Sequence, residues 1–272
     1  MIQKFYKYHG AGNDFVLMDS REGGLQLTSK QIATLCDRRF AIGADGFMSL
    51  ENDPQGTEFY MRYYNADGSQ VAMCGNGGRC IALFAHHLGI GGRLKTFRGM
   101  DGLHTAEILE TQGNAGRVRI QMIDVPGLER HSDYLFLNTG VPHYVAFTDR
   151  VDGVDVVAEG RKIRHAEAFA SRGGTNVNFV ETLPDGSLKI RTYERGVENE
   201  TLACGTGATA AAIAAGVLHD PDQKAFTVHA RGGDLRVTFE KGADGGFQNI
   251  FLEGSAVKVF ACELNLDEIF SE

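Results

Sequence analysis

Apolar residues along this chain alternate with polar ones in short runs more often than they recur at helical spacing. Lys4–Tyr8, Asp14–Met18, Glu58–Tyr64, Arg117–Met122, Tyr134–Leu137, Thr175–Val180, Leu188–Tyr193, Asp234–Phe239 and Ala256–Phe260 carry β-branched and aromatic residues. Gly, Asp-Gly or Pro-Asp-Gly punctuates them, which is the composition of strands joined by tight turns. Leu183–Leu188 (LPDGSL) reads as a hairpin turn. Two stretches break the pattern and predict helices, one over Asn76–Leu88 (NGGRCIALFAHHL) and one over Thr206–Leu218 (TGATAAAIAAGVL). The second is apolar on every side; the first is nearly so, with polar residues at its ends. A helix apolar all round must be buried all round. In a strand-rich chain the simplest way to bury it is a curved sheet wrapped around it.

The two helices also begin alike. YYNADGSQVAMCGNG precedes the first and TYERGVENETLACGTG the second. Each has a strand ending in Tyr, a polar loop, a small or apolar residue, then Cys-Gly-x-Gly and the helix. Internal duplication accounts for this. The predicted fold class is α+β, with two pseudo-symmetric domains, each a curved, mostly antiparallel sheet around a central buried helix.

Composition narrows the function. A chain of 272 residues accommodates two domains of ordinary size. Its net charge of −8 and lack of a basic tract argue against a nucleic-acid partner. No apolar run approaches the ~20 residues that span a bilayer, and the opening MIQKFYKYHG lacks the apolar core of a secretory leader. The expected protein is cytoplasmic, without a membrane partner. Its five cysteines are Cys36, Cys74, Cys80, Cys204 and Cys262. An odd number in a reducing compartment argues against a disulfide framework, and no pair has the short C-x₂₋₄-C spacing of a zinc site. Each is then a small buried hydrophobe, the ordinary role of a free cysteine, or a reactive thiol.

Cys-Gly-x-Gly at a helix start offers more than packing. The first N–H groups of a helix lack internal partners, and the helix dipole adds partial positive charge there. Glycines let an anion approach closely, and a thiol at that end has its thiolate stabilised. Two such ends could hold a carboxylate and set one thiol on each face of its α-carbon. One thiolate would remove the α-proton while the other thiol returned a proton to the opposite face. The competing patterns are weaker. Gly205–Ala210 (GTGATA) fits a loose dinucleotide-binding fingerprint, but the residues before it are polar rather than a buried strand, and no G-K-[ST] follows to make a phosphate loop. His86–His87 suits a solvated helix C-terminus. His143, after Val-Pro, is open to a structural or a chemical role.

At these residues the chain resembles the diaminopimelate epimerases, within the group that includes the proline racemases. The resemblance runs through HGAGNDF (His9–Phe15), RFAIGADG (Arg39–Gly46), YYNADGSQVAMCGNGGRC (Tyr63–Cys80), TGVPHYV (Thr139–Val145), GTNVNFV (Gly174–Val180) and YERGVENETLACGTGA (Tyr193–Ala208). Asn76 favours the epimerase branch, since proline racemases have His after the first Cys-Gly. The resemblance implies that Cys74 and Cys204 are the acid/base pair. Gly75, Asn76, Gly205 and Thr206 would cradle the reacting carboxylate. Asn13, Asn65, Asn176, Glu194 and Arg195 would hold the substrate, with Arg195 on the distal carboxylate, and His143 and Glu194 would tune the thiols. It further implies that the last strand returns to the first half, giving domains 1–117 plus 258–272 and 118–257. The implied reaction interconverts LL- and meso-2,6-diaminopimelate for lysine and peptidoglycan synthesis, with no pyridoxal phosphate, no other cofactor and no metal, in a homodimer. The alternatives are a proline- or hydroxyproline-type racemase or epimerase and, from another class, a dinucleotide-binding oxidoreductase. Gly46 stands where many relatives have Gln, and Val141 where many have Asn, so two distal substrate contacts of those relatives are missing here.

Overall fold

A computed structural model describes residues 1–23, 25–219 and 222–271. The fold is sheet-dominated with few helices and divides into two units, residues 1–120 with 255–272 and residues 121–254. The expected boundaries at 117/118 and 257/258 fall in the same two strands as these divisions, Ala115–Gln121 and Phe247–Asn265.

In the first unit β1 (Ile2–Gly10) and β2 (Asn13–Asp19) form a hairpin. Its two-residue turn holds Ala11 at φ 51° and Gly12 at φ 83°, the left-handed pair whose twist suits antiparallel strands. After α1 (Ser29–Cys36), β3 (Gly46–Glu51) joins β2 in parallel and β4 (Phe59–Asn65) returns antiparallel. The short β5 (Gln70–Val71) then leads into α2 (Gly75–His87). Beyond the helix, β6 (Leu94–Gly99) runs parallel to β4, and β7 (Gly102–Gln112) and β8 (Ala115–Gln121) follow antiparallel.

The second unit begins with β9 (Leu128–Arg130), β10 (Leu135–Asn138) and β11 (Pro142–Phe147). Helices α3 (Val156–Arg164) and α4 (Glu167–Ala170) precede β12 (Asn176–Thr182), which is parallel to β11. The predicted LPDGSL turn, closed by Leu183 N–H to the Ser187 carbonyl, carries the chain into β13 (Leu188–Glu194). Next come β14 (Asn199–Thr201) and α5 (Gly205–Leu218). After these, β15 (Ala225–Ala230) is parallel to β13, and β16 (Gly233–Lys241) and β17 (Phe247–Asn265) are antiparallel. From β10 onward, strand directions and helix position repeat those of the first unit from β1. The final α6 is Leu266–Ile269.

From Ser255, β17 belongs to the first unit. There it pairs with both β8 and β1, so hydrogen bonding runs β1–β2–β3–β4–β6–β7–β8–β17 and back to β1. Closure leaves those strands without an open edge. Residues Gly75–Ala85 of α2 are buried, and the helix packs on β1, β2, β3 and β7. In α5, Gly205 and Gly207–Gly216 are buried against β10–β13, β15 and β16. Packing is close at Gly78, where a Cβ would lie 2.3 Å from Ile120 Cδ1.

Both predicted helices are present, each starting one residue earlier than the pattern implied. The helices α1, α3 and α4 are short, at 8, 9 and 4 residues, and offer too few turns of pattern to stand out in the sequence. In α3 only Val156 and Gly160 are buried. Among the described residues, no helix is long and apolar enough to cross a membrane.

Candidate active site

In the first unit Cys74 is the N-cap of α2, with extended backbone (φ −109°, ψ 152°), and its sulfur accepts the Gly77 N–H at 3.2 Å. A donor on sulfur favours the thiolate. The half-buried Cys74 is followed by buried Gly75 and Asn76. Asn76 Nδ2 donates to Asn13 Oδ1 at 3.3 Å, and Asn76 Oδ1 accepts from Arg79 at 2.8 Å. Asn13 in turn donates to Asp45 at 2.8 Å. Behind this sits a charge cluster in which Arg38 grips Asp14 and Asp45 while Lys7 pairs with Asp14 at 2.7 Å. Burial alone would raise the Asp14 carboxyl, but hydrogen bonds and charge from Arg38 and Lys7 hold it well below the usual range. Asn13 and Asn76 are thus locked together from β2 and α2. Asn65, at the exposed end of β4, bonds instead to Ser69 Oγ at 3.3 Å.

Gly46 pairs with Asn65 across β3 and β4. A Cβ at Gly46 would come within 2.7 Å of the Tyr64 carbonyl oxygen and 2.8 Å of the Tyr63 ring. The missing Gln side chain is therefore not a simple omission, because this backbone has no space for any side chain there.

In the second unit Cys204 caps α5 in the same way (φ −112°, ψ 111°), its sulfur accepting the Gly207 N–H at 3.4 Å. Thr206 Oγ1 lies 3.4 Å from that sulfur, and the Thr206 carbonyl accepts from buried Thr139 at 2.9 Å. Gly205 is buried at the helix start. Three neighbouring strands bring the other residues together. His143 on β11 is opposite Asn176 on β12, and the Val177↔Tyr193 pairing puts Glu194 one step further along β13. Asn176 donates to the Pro142 carbonyl at 3.0 Å and accepts the Arg195 N–H at 2.9 Å. Glu194 accepts from Thr201, and the Arg195 and Val141 side chains are half-buried.

His143 is fully buried, and burial together with the nearby Arg195 charge lowers its pKa to about 3, so it is neutral. Its tautomer follows from Asn178, which the sequence had not singled out. The Asn178 amide nitrogen donates to the Tyr144 carbonyl at 2.8 Å and sits 3.1 Å from His143 Nδ1, while its oxygen accepts from Thr192 at 3.0 Å. The Tyr144 carbonyl demands a donor, which fixes the amide; Nδ1 is then the acceptor and Nε2 carries the proton. Nε2 is buried without a partner among the described residues. Asn178 Oδ1 also bounds the helix start, lying 2.5 Å from where a Gly207 Cβ would be. The legible signal was Asn176-Val-Asn178, two polar residues at strand period on one face.

Arg79 was expected among polar residues at a helix end. It is instead completely buried and, among the described residues, bonds neutral oxygens at Gly75 (3.2 Å), Asn76 (2.8 Å) and Ser255 (3.5 Å). The dinucleotide reading of α5 finds a three-residue strand antiparallel to β13 immediately upstream rather than the parallel strand it requires. Among the described residues no cluster of three or more His, Cys, Asp or Glu is placed to hold a metal.

The diaminopimelate epimerase family model matches residues 5–122 and again 135–259. The diaminopimelate epimerase of Flavobacterium psychrophilum is 48% identical over 261 residues, covering 94% of this chain and 98% of that one. The enzyme of Chlorobaculum tepidum is 42% identical over 264 residues, covering 94% and 99%. Among solved structures, a probable proline racemase from Agrobacterium radiobacter with bound carbonate aligns at a TM-score of 0.74 and 15% identity, covering all of this chain and 95% of that one. A PhzF-family phenazine biosynthesis protein from Bacillus anthracis aligns at 0.75 and 13% identity, covering 97% and 99%. These distant structures share the fold, whereas the matches over nearly the full length place the sequence more closely. The chain belongs to the diaminopimelate epimerase family.

Proposed function

We propose that this isomerase interconverts LL- and meso-2,6-diaminopimelate, a step of lysine and peptidoglycan precursor synthesis, with Cys74 and Cys204 acting on opposite faces of one α-carbon. The observation that carries the reading is the repeated helix start. Cys74 and Cys204 are the N-caps of the two most buried helices, each sulfur receives an N–H from the residue three positions on, and each helix start is lined by the buried glycines that let a carboxylate approach. Each sheet wrapping its helix would hold these starts rigid, and rigid placement of the reacting groups is where much of the rate originates.

In this reading Gly75, Asn76, Gly205 and Thr206 supply the donors that stabilise the α-carboxylate as it gains enolate charge. Asn13 orients Asn76 through their mutual hydrogen bond. Asn65, Asn176 and Glu194 hold the amino-acid groups, and Arg195 takes the distal carboxylate in a two-pronged contact. Neutral His143, with its proton on Nε2, and Glu194 tune the thiols. No cofactor is called upon, because one thiolate and one thiol balance the proton inventory: the base takes the α-proton and the acid delivers another. A cytoplasmic homodimer is the working form.

Chiral analysis of product from purified protein and LL-diaminopimelate tests the proposal. Approach to a mixture of LL and meso isomers is expected, with proline and hydroxyproline left unchanged. Inversion of proline but not diaminopimelate would overturn it.

A further inference from the structure

Among the described residues Arg79 forms no ion pair with a carboxylate. Its guanidinium is fully buried, stays protonated in proteins, and among the described residues reaches the Gly75 carbonyl, Asn76 Oδ1 and the Ser255 carbonyl. The carboxylates of this helix end have partners of their own: Asp14 pairs with Lys7 and Arg38, Asp45 pairs with Arg38, and Asp101, near the Met73 amide, is hydrogen-bonded to His104. A buried charge without a partner is costly, so a balancing negative charge is the economical arrangement. Two thiols flank Arg79 on α2: Cys80 is its chain neighbour, and Cys74 caps the turn whose Gly75 carbonyl the guanidinium bonds at 3.2 Å. Cys80 is fully buried, which raises its pKa far above the ordinary thiol range and keeps it protonated. Cys74 is half-buried, caps the positive end of α2 and receives the Gly77 N–H. The second unit has no cation at the equivalent helix position. At the same distance after its cysteine stands Thr209, whose hydroxyl bonds the Gly205 carbonyl at 3.0 Å, as Arg79 bonds that of Gly75.

We infer that Arg79 is a positioning residue that makes Cys74 the thiolate of the resting protein and leaves Cys204 the thiol. Cys74 gives its proton to solvent, and the charge so formed balances the buried guanidinium without touching it. The free protein then meets the stereoisomer whose α-hydrogen faces Cys74 in the correct ionisation state, while the opposite stereoisomer must wait for the proton to exchange. This rests on the two-thiol reading, but its test does not need turnover.

The test is alkylation of reduced, unliganded protein by iodoacetamide from pH 5 to 10, read separately at Cys74 and Cys204 by peptide mass spectrometry. The Cys74 midpoint is expected at least one pH unit below that of Cys204. In Arg79→Met it should rise by one unit or more, about tenfold slower alkylation at pH below the midpoint, with the Cys204 midpoint in place. Arg79→Lys should restore most of the shift. A Cys74 midpoint at or above that of Cys204 in the unaltered protein overturns the inference even if Arg79→Met fails to fold. So does an Arg79→Met variant, folded by circular dichroism, that leaves Cys74 where it was or moves both thiols equally. Failure of the two-thiol reading would show separately, as absence of epimerisation in the unaltered protein.

Discussion

The starts of α2 and α5 use one cap and diverge one turn later. Both have Cys in extended backbone, a sulfur accepting an N–H three residues on, and a side chain five positions after the cysteine bonding back to the first glycine carbonyl. That side chain is a charged guanidinium under Cys74 and a neutral hydroxyl under Cys204. The neighbours differ as well. Asn76 is tied through Asn13 to an ion cluster, whereas the α5 start is bounded by Asn178 and the neutral His143. The two starts thus keep one cap geometry, while the residues around each cysteine differ in charge; in the proposed reaction that difference would suit one thiol to act as base and the other as acid.

The largest expected effect treats the halves as equals. Cys74→Ala and Cys204→Ala should each abolish epimerisation, with a loss of several powers of ten in turnover on diaminopimelate. Near-normal turnover in either variant would reduce that cysteine to a core residue. Next is the distal end of the substrate, which the second unit alone would hold. Arg195→Ala should cost roughly a hundredfold or more in kcat/KM, the loss of a paired charge contact, while Val141→Asn changes it only a few-fold. Equal, small effects would put the distal carboxylate elsewhere.

The helix-start glycines sharpen the contrast in stability. A Gly207 Cβ would lie 2.5 Å from the buried Asn178 oxygen, but a Gly77 Cβ only 3.3 Å from Cys74 Sγ and 3.4 Å from the flexible Met48 sulfur. Gly207→Ala should lose about 1–3 kcal/mol to overpacking, whereas Gly77→Ala, offset by the better helix propensity of alanine, should stay within about 1 kcal/mol. Urea unfolding of both variants decides.

How much of this was legible follows from range. Both buried helices, their cysteines and the duplication are written in contiguous residues, and an apolar stretch or a repeated Cys-Gly-x-Gly needs no distant partner to be seen. Arg79 misled because an arginine beside an apolar run looks like a helix end facing water. Its partners include the Ser255 carbonyl, from a strand far along the chain. Asn178 was passed over for Asn176 because its importance comes from Tyr144 and Thr192 on the two flanking strands. The short α1, α3 and α4 escaped because one or two turns give a helical pattern too little length to be told from loop.

A smaller effect concerns pH. His143 has a folded pKa of about 3 against about 6.5 unfolded. The unfolded chain therefore binds a proton that the folded site refuses. Stability from this group is complete above pH 6.5 and falls as pH drops toward 3, at up to about 1.4 kcal/mol per unit. The His143 ring should show no NMR titration between pH 5 and 8; a midpoint above 6 would contradict a buried, neutral imidazole.

The central claim, two thiols on opposite faces, is tested most directly by running LL-diaminopimelate in heavy water and stopping early. A thiol exchanges its proton with solvent, so the acid that completes inversion delivers deuterium. Newly formed meso product is expected to carry one deuterium at the inverted carbon, while recovered LL substrate remains almost free of it. Product retaining the original hydrogen would contradict the account, because a single base would then serve both faces.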